Sequence, residues 1–176
     1  MRLSHFTIKL VVLAIAASAV SLTLPRGDVF SAEEALTNFT GRIIRIMGDV
    51  KIRRSGEKDW IQAKQGIDIG PNDQIMTGVA SSADILFIRN SERSKIRILE
   101  NADMSLMTLN LDKVTGDSEI LLDLAIGHII IKTDPLKGKS RFEVLTPTSM
   151  TAVRGTGFEV NVVRGKGPLG NEDITQ

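Results

Sequence analysis

The sequence predicts an all-β fold, an antiparallel β-sandwich of jelly-roll-like type. Two observations carry this. From Gly41 onward, short runs alternate apolar and polar residues, the period of half-buried strands. Turn signals rich in Gly, Pro, Asn and Asp separate these runs at short, regular intervals. Many short strands with regular turns suit a sandwich or a barrel-like roll. A β-solenoid-like stack is the alternative architecture, although the sequence has no fixed repeat period.

The first run, RIIRIMGDVKIRR, places Ile44, Ile46, Val50 and Ile52 on one face and Arg45, Asp49, Lys51 and Arg53 on the other, a half-buried strand pair turned near Gly48-Asp49. ADILFIRN puts Ala83, Ile85 and Phe87 together, and SKIRILE adds Ile96 and Ile98. SLMTLNLDK offers Met107, Leu109 and Leu111. EILLDLAIG offers Ile120, Leu122, Leu124 and Ile126, followed by Ile129 and Ile131 in HIIIKT. The apolar residues change from even to odd positions across Gly127-His128, which requires a bulge or a tight turn there. RFEVLT and GFEVNVV then contribute Phe142, Val144, Phe158, Val160 and Val162. Turns are expected at Ser55-Gly56, Gly70 to Asp73, Arg89 to Ser91, Thr115 to Asp117, Pro135 to Gly138, and Thr146-Pro147.

The ends of the chain break the pattern. MRLSHFTIK carries Arg2 and Lys9 with no acid, and LVVLAIAASAVSLTL runs apolar from Leu10 to Leu24. This is a secretory signal, with Ala17-Ser18-Ala19 as a small-x-small cleavage site and Val29-Phe30-Ser31 as a second option. Uncleaved, it would anchor the chain, but 15 residues fall short of the roughly 20 needed to span the hydrocarbon. The expected organisation is a leader over residues 1–19, a lead-in over 33–40, a β domain over 41–163 and a flexible polar tail over 164–176. SAEEALTN, residues 31–38, reads either as a short helix capped by Ser31 or as part of a flexible lead-in. The localisation expected is periplasmic or secreted, or inner-membrane anchored without cleavage; membrane contact is through the leader alone.

The formal net charge of +1 gives no reason to expect nucleic acid, and no basic run changes that. Removing residues 1–19 takes two of the 22 basic side chains and none of the 21 acidic ones, leaving −1. There is no cysteine, so thiol catalysis, thiolate metal sites and disulfides are excluded.

Catalytic chemistry has few candidates. Beyond His5 in the leader, His128 is the one histidine, and it reads as a strand or turn surface residue. No Gly-x-Ser-x-Gly elbow is present, and a zinc site lacks ligands. Asp68 with Asp73, and Asp117 with Glu119, lack the spacing of a calcium loop and suit turns. No catalytic, cofactor or metal site is expected. The RGTG of Arg154 to Gly157 leads into a strand, not a helix, and so makes a poor phosphate cradle. Gly155 and Gly157 instead suit positive φ or close chain approach, with Arg154 pairing an acid or capping loop carbonyls. Trp60, the single tryptophan, reads as a core anchor; exposed, it would suggest a sugar or partner platform.

In order along the chain, these pieces resemble the FecR domain, a β-rich bacterial envelope module. GDVKIRR resembles its opening strand. DWIQAKQGIDIGPNDQIMTG resembles its next stretch, with Trp60, Ala63, Gly66, Asp73, Thr77 and Gly78 matching and Ile69 in place of a Leu. LLDLAIGHIII, with Gly127, and the closing FEVLTPTSMTAVRGTGFEV, with Pro147, Arg154, Gly155, Thr156 and Phe158, complete the resemblance over residues 41–163. Two departures stand out: Arg89-Asn90-Ser91 lacks the usual turn glycine, and Met150 replaces a small residue. The best-known members are membrane-spanning regulators whose cytoplasmic segment restrains a sigma factor. Only nine residues precede the apolar stretch here, so that role is not expected. The resemblance implies a non-enzymatic exported domain that contacts an envelope protein in sensing or scaffolding; binding of carbohydrate or an envelope polymer is the alternative.

Overall fold

Alternating residues in this chain do build strands, and one long bent strand joins the two groups in which they pair. The computed structural model describes residues 36–90, 92–167 and 170–175, with side chains up to residue 163. The expected leader and both cleavage sites lie outside the described residues. The strands are β1 (Leu36–Asn38), β2 (Gly41–Met47), β3 (Val50–Arg53), β4 (Ile61–Gln62), β5 (Asp68–Ile69), β6 (Gln74–Thr77) and β7 (Ser82–Arg89). They continue as β8 (Glu92–Ile98), β9 (Asp103–Asp112), β10 (Ser118–Thr133), β11 (Arg141–Leu145), β12 (Met150–Val153), β13 (Thr156–Gly167) and β14 (Gly170–Thr175). No helix occurs among the described residues.

The fold is all-β and the sheet, antiparallel apart from one strand pair, is curled into a half-barrel. A sandwich was expected; its two halves are joined here because β10 belongs to both. Ser118 to Ile126 pairs with β9, and Glu119 to Asp123 with β11. Gly127 to Thr133 pairs with β13, and Ile129 to Thr133 with β8. The first half-sheet adds β6, β3 and β4 beyond β9, and β12 beyond β11; the second adds β7, β2 and β5 beyond β8. The expected change of parity is present: Ile120, Leu122 and Leu124 are buried before Gly127, and Ile129 and Ile131 after it. The bend also explains the parallel pair β10–β11. Parallel strands ordinarily need a crossover of about a dozen residues or more. Residues 134–140 suffice here because β10 itself curls back toward its own start.

One apolar cluster fills the concavity and draws on both halves, including Ile52, Ile75, Met104 and Leu106 from one and Ile43, Ile85, Phe87 and Ile98 from the other. Two assignments of face change. Ile43, not Ile44, is buried in β2, because a bulge lies between Ile43 and Arg45. Met107 is exposed while Leu106 and Leu109 are buried, because Met107 is the extra residue of a bulge facing Leu121 and Leu122. Each bulge inserts one residue and flips the alternation beyond it. β2 and β3 do not pair with each other; they go to opposite halves through the turn at Gly48.

Both termini of the domain also differ from expectation. Leu36–Asn38 is a strand on β9, not a helix. The polar tail is not without structure: β13 runs to Gly167 and pairs with β14 as an antiparallel hairpin. Ladder hydrogen bonds satisfy backbone groups whatever the side chains, so a polar, glycine-rich segment can still pair.

Candidate functional site

The signature residues first act on the backbone. Asp73 is buried, and its carboxylate accepts the Ser55 N–H at 2.9 Å, the Gly70 N–H at 2.9 Å and Arg54 at 2.6 Å. It thus ties two turns together. Thr77 Oγ1 donates to the Leu99 carbonyl at 2.6 Å and accepts the Ala102 N–H at 3.0 Å, which fixes the turn before β9. Gly78 N–H donates to the Asp49 carbonyl at 2.9 Å, and Gly66 N–H, at φ +86°, to the Ile43 carbonyl at 2.7 Å. The missing turn glycine is replaced in kind: Asn90 holds φ +51° between β7 and β8, a conformation asparagine tolerates.

Trp60 is not a core anchor. It is half-buried at the margin beside two-residue β4, outside the core cluster, with the Arg53 guanidinium 4.9 Å above its ring. β4 is too short to cover it. Phe87 and Phe142 are fully buried and Phe158 packs on the core, so these rings form no exposed aromatic platform.

The closing signature builds an exposed edge. Thr146 N–H donates to the Ser149 carbonyl at 2.8 Å, forming a turn with Pro147 at the surface. β12 follows, paired with β11 alone among the described residues, with Leu145 opposite Met150 and Phe142 opposite Val153. Val153 anchors the strand in the core while Met150 is 62% exposed. The Met150 departure therefore falls where no packing forbids a large side chain. Arg154 is exposed; its side chain makes neither expected contact, with an acid or with loop carbonyls, among the described residues, while its own carbonyl accepts the Leu136 N–H at 3.4 Å. Gly155 at φ +146° and Thr156 at φ +72° then turn the chain into β13. A β-branched residue at positive φ is strained, and such strain persists only where surroundings impose it.

Among the described residues, groups suited to catalysis do not converge. His128 Nε2 stands 3.3 Å from an exposed Glu159 carboxylate without hydrogen-bond geometry. No cluster of three or more metal-ligating side chains occurs among the described residues. Burial, together with the charge of Asp103, raises the Asp123 carboxyl above its ordinary value, but Asp103 is itself engaged by Gln74 at 2.5 Å.

Two charged side chains of β7 are buried. Arg89 is 2% exposed and donates to Ser118 Oγ at 3.0 Å and Ser94 Oγ at 2.6 Å, with its Nε unpaired. Asp84 is 2% exposed beneath Arg97, at 2.7 and 3.1 Å, and Lys95, at 2.9 Å. Burial opposes its ionisation, but these hydrogen bonds and charges outweigh it and hold its carboxyl below the ordinary value. A signal for Arg89 existed: it shares the parity of core residues Ile85 and Phe87.

A family model described as FecR protein matches residues 73–168, more than half of the chain. No match is found among the curated proteins or the solved structures. No helix among the described residues is long and apolar enough to cross a membrane.

Proposed function

Because this chain belongs to the FecR family, whose members are cell-envelope signalling and sensing proteins, we propose that it is an exported, non-enzymatic β domain that contacts another envelope protein through the free edge of β12. The basic start and the apolar run from Leu10 to Leu24 support export to the periplasm or beyond. The observation that carries the reading is β12 itself. It lies at a sheet margin, presents exposed Met150 and Ala152, and is held in place by the Thr146–Ser149 turn and buried Val153. An exposed edge offers unpaired backbone groups, and an incoming strand gains affinity from the ladder and selectivity from alternate side chains. A carbohydrate module is less favoured, since the one tryptophan carries Arg53 on its ring.

Successive residues of a strand point their N–H groups to opposite sides. Of Thr151→Pro and Ala152→Pro, one therefore leaves the β11 ladder intact and blocks addition at the edge. Crosslinking mass spectrometry on the envelope fraction should place a partner on residues 146–154, with β12 amides protected from exchange in the complex. The reading fails if crosslinks concentrate elsewhere, or if both proline variants, folded by circular dichroism, keep the partner.

A further inference from the structure

The outer face of the second half-sheet forms a cationic trough. We propose that it binds an extended acidic segment of a protein partner, a surface separate from the β12 edge.

Cross-strand register places the groups. Leu86, Lys95, Lys132 and Gly157 form one row across β7, β8, β10 and β13; Asp84, Arg97, Ile130 and Glu159 form the next. Two depressions overlap on these rows. One of about 240 Å³ is lined by Arg97, Ile130 and Glu159; the other, of about 430 Å³, by Leu86, Arg93 and the Thr156–Gly157 backbone. Lys95 and Lys132 line both, so the two make one trough. Like charges directly opposite across a ladder are destabilising, and Lys132 faces Lys95 in register. Asp84 satisfies Lys95 and Arg97 from below, whereas the Lys132 and Arg93 side chains have no acidic partner among the described residues. The trough thus presents Arg93, Lys95, Arg97 and Lys132 against Glu159 and Asp134 at its margins.

Charge complementarity selects an acidic ligand. The form of the surface selects a peptide. Its cations are spread over neighbouring rows, with Leu86 flanking Lys95 on β7 and Ile130 opposite Arg97 on β10. An extended chain with an acid at every second residue turns its carboxylates to one face at about 7 Å, the spacing at which Arg93, Lys95 and Arg97 repeat along β8. Among the described residues, no aromatic ring lines the trough for a sugar to stack on.

The test uses the full chain and a fluorescein-labelled octapeptide alternating Glu and Val, read by anisotropy, beside the same peptide with Gln for Glu. The Glu peptide should bind, weaken about tenfold with Lys132→Glu, and weaken as salt rises from 50 to 300 mM, as exposed charge pairs do. Lys51→Glu, on the other half-sheet, should leave binding unchanged, and so should the edge-blocking proline. Absence of binding by the Glu peptide, equal binding by the Gln peptide, or insensitivity to Lys132→Glu overturns the proposal. So does a sulfated glycan that binds where the peptide does not. Loss of binding on edge blocking would merge this surface with the β12 edge and overturn their separation.

Discussion

Gly127 and Ala102 meet where β10 bends: a Cβ on Gly127 would stand 2.3 Å from the Ala102 Cβ and 2.4 Å from its Cα. Gly127 also holds φ +107°. Left-handed backbone costs an L-residue about 1–2 kcal/mol, and overpacking a further 1–3 kcal/mol. Gly127→Ala should lower stability by about 3 kcal/mol or more in urea denaturation. Ala102→Gly should not restore it, because the Ala102 backbone remains in the way. Full rescue would mean that the bend tolerates a side chain.

The two glycines of the RGTG corner are not equivalent. Gly155 holds φ +146°, and a Cβ there would lie 3.2 Å from the Pro135 Cα. Gly157 has ordinary φ, with its nearest neighbour, the Ile131 carbonyl oxygen, at 3.4 Å. Gly155→Ala should cost about 1–2 kcal/mol by backbone strain, whereas Gly157→Ala should stay within about 0.5 kcal/mol. Equal melting temperatures for the two variants would reject this distinction.

Asp84 and Asp123 should give opposite pH dependences. Asp84 has a lowered folded value, so its contribution is full above the unfolded carboxylate value, about 3.9, and fades as pH falls through the folded one. Asp84→Asn should therefore destabilise at pH 7 and converge on the unsubstituted protein only once pH has fallen below the lowered folded value. Asp123 has a raised folded value, so ionisation penalises the fold as pH climbs past about 4. Asp123→Asn should stabilise at pH 7 and have no effect near pH 3. Thermal melts across this range check both signs.

Arg89 clasps the two ends of β10. Its guanidinium bonds Ser118, the first residue of that strand, and Ser94, whose hydroxyl lies 2.7 Å from that of Thr133, the last. Desolvation lowers its pKa, although Glu92 and Asp134 oppose this. A buried charge without a hydrogen-bonded acid is poor evidence of stabilisation. Arg89→Met should change stability by no more than about 1 kcal/mol, with the lost charge burial offsetting the orphaned Ser118 hydroxyl. Arg89→Ala should cost about 3 kcal/mol through the cavity it leaves. A large loss with Met would show that the clasp itself stabilises the curl.

Much of the strand content was legible because alternation is a local property. Ile96 and Ile98, Phe142 and Val144, and Val160 and Val162 are buried as their spacing predicts. The change of parity at Gly127 was legible for the same reason. The bulges at Ile44 and Met107 were not, since an extra residue in one strand shows only against its partner. Trp60 misled because size and apolarity predict burial only where enough neighbouring chain exists to cover a ring.

By itself the sequence determined most of the strands between Gly41 and Val162, the turns between them and, through its ordered motifs, the family. The tertiary structure alone decided that one strand serves both half-sheets, that β12 is left at an edge, and that Lys95 and Lys132 face each other outside while Arg89 is enclosed. Periodicity reports the face a residue occupies. It carries no information about which distant strand lies alongside, because pairing is settled by the burial of the whole core at once.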